Sequence, residues 1–380
     1  MIPEVEAIAD PHGALKPPPP RLGPPAPEAE AMTDRHGPPT PRPPGRSGRT
    51  GEAVGVAERL RGSVAERIAD LLAGAAHPVG DVYVGWHAAR DAATCPARYR
   101  GQGPEGWAFP GWTAPLAAAS VGRAALAHHL DEADRSGLPP ALPDPFATIR
   151  GWMRALRAPA AASGGGGGPP LERSAVGDWV ADAWAAGDTA TLTAVAATAA
   201  RWSAGFVRVI GWPLPPKLGL LKASGPPPTP GTSWRPAKAA PVKVGMGADA
   251  RLGRVTGAGR FGLLVHRVTT GDDASLRDRA AFEAAAGGLV IGVAPAEVLV
   301  TAGDTGDRAR VAVDDDLLAR GGDLITAVVR ERVTAVDRGF DAADASPSPA
   351  CRRCELLATC SPGQAWIAGP GRWRGGLPVL

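Results

Sequence analysis

Apolar residues between Glu52 and Ala76 recur at helical spacing: Val54, Val56, Ala57, Leu60, Val64, Ile68, Leu71 and Leu72. The pattern predicts an amphipathic helix there. Further helices are predicted over 87–100, about 117–133, 144–158 and 174–205, the last two separated by the glycine run 164–168. Period-two alternation begins late. Stretches 242–255 and 260–269 read as a hairpin turning at Thr256-Gly257-Ala258-Gly259. A helix over 274–287 follows, then strands over 298–302 and 308–313. A long helix over 315–336 comes last, with Leu317, Leu318, Leu324, Ile325, Val328, Val329 and Val333 on its apolar face. Helices followed by β-β-α-β-β-α predict an α/β (α+β) fold with a small mixed sheet and a helical N-terminal half.

Composition trims this picture. Fifty glycines and 41 prolines make up close to a quarter of the 380 residues, so the ordered part is expected to be nearer one domain than three. Residues 1–52, with 14 prolines in the first 46 positions, read as a disordered tail with a secondary capacity for polyproline-type partner binding. Flexible insertions are expected near 160–171 and 223–242, leaving a domain over 53–365 and a tail over 366–380. A net charge of +3 does not by itself imply nucleic acid. No apolar run of 18 and no signal-peptide pattern occur, so a cytoplasmic, membrane-free protein is expected.

The candidate chemistry sits in the four cysteines. Cys351, Cys354 and Cys360 form C-x2-C-x5-C, and Cys95 lies far upstream in a Cys-Pro step. In a cytosolic chain such spacing favours a metal or redox site over disulfides. Thiolate-only ligation suits zinc or an iron–sulfur cluster. Zinc ribbons use two C-x2-C pairs, so the 2-then-5 spacing plus one distant cysteine leans towards iron–sulfur; unrelated buried cysteines are the plainer alternative.

Other features are weighed against plain structural roles. Trp86, Trp107, Trp112, Trp152, Trp179, Trp184 and Trp202 read as packing residues. Arg352, Arg353, Arg372 and Arg374, interleaved with Trp366 and Trp373, read equally as a DNA contact or a solvated tail. Asp314, Asp315 and Asp316 read as a helix N-terminus, and Gly253–Gly257 is not a phosphate loop because no Lys-Ser/Thr follows.

The segment Cys95-Pro96-Ala97-Arg98-Tyr99-Arg100 resembles the CPxxYR segment of RecB-like nuclease domains in the PD-(D/E)XK superfamily. In iron–sulfur members such as the AddB nucleases and the CRISPR adaptation exonucleases, a distant C-terminal C-x2-C-x5-C completes a 4Fe–4S cluster. The resemblance spans roughly residues 80–365 and implies a restriction-endonuclease-like core closed by a clasp of Cys95, Cys351, Cys354 and Cys360, with Zn2+ as the alternative occupant. The helix VGRAALAHHLDEA resembles the family's G-x-x-x-H-x-x-L helix, so His128 or His129 would take the metal-ligating place.

The same resemblance implies an Asp in the first hairpin strand and an Asp/Glu-x-Lys in the second, holding Mg2+ or Mn2+. Aligning Arg254-Val255 puts Gly253 at the first Asp, while His266 and Val268 fall at the second Asp and the Lys. The helix after them keeps the Gln-x-x-x-Tyr pattern without its Gln or Tyr. One lost catalytic donor commonly costs about 100- to 1000-fold, so loss of the set implies no useful cutting. The expected function is therefore a catalytically degenerate DNA-binding or scaffolding protein of DNA repair or processing, with DNA and a protein of a repair or processing complex as the expected partners. One alternative is an active exonuclease using a displaced site of Asp249, His266 and His128 or His129. Another is a redox-responsive regulator or interaction protein. The WhiB-like iron–sulfur regulators share C-x2-C-x5-C, but they are short and carry a G-[VI]-W-G-G turn that this chain lacks.

Overall fold

The computed structural model describes residues 48–103, 112–136, 144–157, 175–215, 218–220, 233–237, 240–253, 261–267, 273–303, 305–306, 308–348, 351–352 and 354–369. Residues 1–47 of the Pro-rich tail, the glycine run, Trp107, Val268, the hairpin turn at 256–259 and the end of the chain lie outside them.

Helix α1 spans Gly48–Ala73, strand β1 Val82–Val84 and helices α2 and α3 Trp86–Thr94 and Pro96–Gly101. The single helix expected over 87–100 is thus two. Proline has no N–H to donate and disfavours a helical residue before it, so the chain breaks at Cys95 and restarts with Pro96 in the first turn of α3. Helices α4 (Ala114–Ser136), α5 (Pro145–Arg157), α6 (Ala175–Ala185) and α7 (Thr189–Ile210) follow. The helix expected over 174–205 is also two. Gly187 takes φ +71, and Asp188 caps α7 by accepting a hydrogen bond from Thr191 N–H.

Short strands β2 (Leu218–Leu220), β3 (Ser233–Trp234), β4 (Val242–Gly245) and β5 (Ala250–Leu252) precede β6 (Gly262–Arg267). The long first hairpin strand expected over 242–255 divides at 246–249, and the 223–242 insertion contributes β3 and the start of β4. Helix α8 (Asp273–Ile291), strands β7 (Glu297–Ala302) and β8 (Arg308–Ala312), helix α9 (Asp315–Arg338) and helix α10 (Ser361–Ala368) complete the described chain. Asp314 caps α9 through Leu317 N–H at 2.8 Å, Asp315 and Asp316 face its positive end, and Gly339 at φ +73 stops it.

The strands form two sheets, ordered β1-β4-β3 and β2-β5-β6-β7-β8. The larger is mixed: β5 and β6 are antiparallel, β6 and β7 parallel with α8 as the crossover, β7 and β8 antiparallel. This is the mixed α/β architecture expected. Both faces of β6 are covered, so it is nearly continuously buried rather than alternating. Leu263 and Val265 point into a core shared with α1, α8 and α9, while Leu264 points into a second cluster with Trp202 and Phe206 of α7. Helix α8 reads Ala280, Ala281, Phe282, Ala284, Ala285, Ala286, all buried. Its small side chains admit α9 so closely that a Cβ built on Gly321 would lie 2.2 Å from the Ala281 carbonyl oxygen. Helices α4 to α7 pack into a separate apolar cluster around Val121, Ile149, Val180 and Leu192. Among the described residues no helix is long and apolar enough to cross a membrane.

Candidate cysteine centre and the strand β6 centre

The chain break that Pro96 imposes places Cys95 at the C-cap of α2 and the N-cap of α3. Its N–H donates to Asp91 O at 2.9 Å and its carbonyl accepts from Tyr99 N–H at 3.2 Å. The other three cysteines ride on successive tight turns. Cys354 N–H donates to Cys351 O at 3.1 Å, Leu357 N–H to Cys354 O at 3.1 Å and Cys360 N–H to Leu357 O at 3.2 Å. Cys360 is then the N-cap of α10. The Gln364 amide ties these turns to the helix by donating to the Leu357 and Ala358 carbonyls at 3.0 and 2.9 Å. The spacing of two and then five residues thus returns the chain twice to one side.

All four cysteines are free thiols, and all four line one small, partly open recess walled by Phe340, Leu356 and Leu357. Cys360 is buried and the others half-buried. Glycine leaves room where the recess meets α10: a Cβ on Gly363 would sit 3.3 Å from Cys360 Sγ and 3.7 Å from Cys351 Sγ. Ser348 N–H points at Cys351 Sγ at 3.3 Å, a donor suited to a thiolate. Residues 256 positions apart in sequence, Cys95 and Cys351, therefore share one cavity. Among the described residues, no group of three His, Cys, Asp or Glu side chains is arranged to hold a metal ion. The recess gathers four thiols without closing them round a single point.

A buried clamp anchors this lobe. Arg100, at the end of α3, donates from Nε to Glu331 Oε2 of α9 at 2.7 Å and also pairs with Asp344 of the 3-10 turn Ala342–Asp344. Gly101 beside it lies against Leu356 and Phe340. Near the recess, Asp91 accepts from Arg90 at 2.9 Å and lies 3.7 Å from Arg98.

The second candidate centre lies on β6. Alternation along the strand sends His266 to the α7 side with Leu264. There Trp202 and Phe206 meet its ring edge-on, at centroid distances of 5.2 and 5.4 Å. Nδ1 lies 2.8 Å from Thr301 Oγ1 of β7, and Nε2 faces the close crossing of Gly205 and Gly303. His266 N–H donates to Asp249 Oδ2 at 2.6 Å. Asp249, just before β5, is itself buried and forms an ion pair with Arg123 of α4, whose guanidinium carbon lies 5.8 Å from the Trp202 ring centroid.

The register sets Gly253 apart from His266. Gly253 follows β5, where Leu252 pairs with Gly262, four residues before His266. At about 3.3 Å per residue that is roughly 13 Å along the strand. Asp249, not Gly253, is the residue of the first strand that meets His266. Val268, aligned with the catalytic lysine, lies outside the described residues. His128 and His129 fall on another face of α4. They lie five and six residues beyond Arg123, some 140° and 240° around the helix at 100° per residue. His129 Nε2 lies 3.1 Å from Thr148 Oγ1 and His128 packs against Trp152 at 5.4 Å, both on α5. The displaced site of Asp249, His266 and a histidine of α4 is thus not what these contacts assemble.

Sequence reasoning passed over Arg123 and Glu283. Glu283 of α8 is fully buried in an alanine run; it accepts from Gly247 N–H at 2.8 Å and pairs with Arg279 at 2.8 Å. Burial raises its pKa above the carboxylate range, with nearby Asp249 adding to the rise and Arg279 and the Gly247 and Ala248 amides opposing it. A lone acid inside an otherwise apolar helical face was the available signal. Arg352 and Trp366 lie within the described chain, while Arg353, Arg372, Trp373 and Arg374 lie outside it.

No known family model, curated protein or solved structure matches the chain.

Proposed function

We propose that this chain is a catalytically silent relative of the RecB-like PD-(D/E)XK nucleases, holding a 4Fe–4S cluster on Cys95, Cys351, Cys354 and Cys360 and binding DNA without cutting it. The observation that supports this reading best is the shared recess of the four thiols, drawn from opposite ends of the described domain. An apolar, carboxylate-free cavity with a glycine at its thiol edge suits a multinuclear cluster, whose irons hold their thiolates apart. A single zinc would require four sulfurs at about 2.3 Å from one point. When bound, the cluster supplies a cross-link between α3 and the C-terminal turns, and its binding energy becomes folding energy.

The β6 centre supports the silent half of the reading. His266, its backbone amide on Asp249 and its imidazole bonded to Thr301, stands where the resemblance calls for a second carboxylate. The antiparallel β5–β6 hairpin, the α8 crossover and the parallel β7 agree with a restriction-endonuclease-like core. On α8 the pair Arg279 and Glu283 has the i, i+4 spacing of the family's Gln-x-x-x-Tyr.

Anaerobic purification with iron, sulfide and visible-absorption measurements, followed by DNA binding and nuclease assays with Mg2+ or Mn2+, tests the proposal. A brown protein that shifts labelled DNA and leaves it intact is expected. A colourless, zinc-loaded protein removes the cluster, and metal-dependent degradation lost in His266→Ala removes the silent reading. DNA affinity that changes with oxidation of the cluster would make the protein a redox-responsive regulator.

A further inference from the structure

The divalent cation of the nuclease reading does not fit the β6 centre, and the misfit is more specific than missing ligands. Both carboxylate oxygens of Asp249 are engaged from inside the protein: Oδ1 by the Arg123 guanidinium, Oδ2 by His266 N–H at 2.6 Å. Asp249 is buried and Arg123 half-buried. Arg123 is held in place from two sides. Its neighbour Gly122 brings α4 so close to α7 that a Cβ there would lie 2.9 Å from the Ala199 carbonyl, and Ser203 Oγ donates to Gly122 O at 2.9 Å. Its guanidinium then lies over Trp202, the ring that also meets His266. Arg123, Asp249 and His266 therefore share the α7 side of the sheet.

We propose that the Arg123 guanidinium is a built-in cation that occupies the coordination position of Asp249 and excludes divalent metal from this fold. An arginine is suited to that role: it stays charged at any accessible pH, it is weakly hydrated and it tolerates burial against an aromatic face. It neutralises the acid that meets the His266 amide. The proposal rests on the nuclease-fold reading only for the idea that a cation once belonged there. It predicts that replacing His266 by a carboxylate is not enough to recover a metal site, because the arginine must also leave.

The test is a Mn2+ titration followed by electron paramagnetic resonance, on the full chain as purified, for wild type, His266→Asp, Arg123→Met and the double variant. Methionine keeps an unbranched apolar side chain on Trp202 while removing the charge. Wild type and His266→Asp are expected to bind no Mn2+ at millimolar concentration. The double variant should bind at least ~100-fold more tightly than either, the order expected when a like charge is removed from beside a cation. Three results overturn the proposal: Mn2+ bound by wild type and lost in Asp249→Asn, His266→Asp binding as tightly as the double variant, or a double variant with unchanged circular dichroism that binds no better than wild type. Should the methionine variants fail to fold, Arg123→Gln takes their place, and the wild-type titration stands regardless. Iron content and DNA binding are separate readouts, so this proposal can fail while the cluster reading survives, and the reverse.

Discussion

Removing Arg100 should cost more stability than any single exposed ion pair in the protein, because of what it leaves behind. In Arg100→Met, Glu331 loses its partner while its side chain is only 11% exposed, and Asp344, 48% exposed, returns to water. An uncompensated buried charge costs about 3–5 kcal/mol, whereas an exposed pair contributes about 0–1 kcal/mol. The Glu331 arm therefore carries nearly all of the effect. Urea denaturation followed by far-ultraviolet circular dichroism should show Arg100→Met losing roughly 3–5 kcal/mol at unchanged m, and Asp344→Asn within about 1 kcal/mol of wild type. Pairing Arg100→Met with Glu331→Gln should recover a large part of the loss, since the orphaned charge is then gone. Equal losses from Asp344→Asn and Glu331→Gln, or a full additive loss in the double variant, would refute the reasoning. Because α3 carries Cys95 at its N-cap, the same Arg100 variant should also retain less iron per chain under anaerobic purification, if the cluster proposal holds.

Gly321→Ala places a methyl 2.2 Å from a backbone carbonyl of α8 that cannot move aside; a loss of about 1–3 kcal/mol in the same urea assay is expected. Cys95→Ser should abolish the visible absorption of the anaerobically purified protein, and a variant that keeps full absorption and iron would take Cys95 out of the site. Glu283 gives a pH prediction of defined sign. Its folded pKa is raised above the usual 4.5, chiefly by burial, so the folded state holds the proton more tightly than the unfolded state. The stability it contributes is present below pH 4.5 and is lost as pH rises through the raised folded value. Glu283→Gln should flatten that decline when stability is measured across the same window, and an unchanged slope would exclude the raised pKa.

Long periodic segments were legible in the sequence because their burial pattern is written in their own residues. The apolar stripe of α9, the Asp314 cap and strands β7 and β8 needed nothing else. The missed elements are those whose stability comes from partners. Strand β1 is three residues long and exists because Val82 and Val84 pair in parallel with Val242 and Val244, 160 positions away. Strand β3 is two residues inside a proline-rich stretch. The two broken helices failed for a local reason, Pro96 in one and Gly187 in the other, each overridden by the stronger helical periodicity around it.

The two candidate centres differ in the same way. The cysteine set was legible because thiols are rare and their spacing is itself the signal; only their convergence with Cys95 required the fold. The β6 centre depends on strand register, which a loop of uncertain length between β5 and β6 does not fix. Shifting the register by four residues moved the facing residue from Gly253 to Asp249, and with it the chemistry from an absent acid to an acid already paired. A sequence pattern can report that a carboxylate is missing. That Asp249 is paired with Arg123 is a property of two helices and a sheet meeting, and under the proposed nuclease-like reading it makes the guanidinium an internal competitor for that acid.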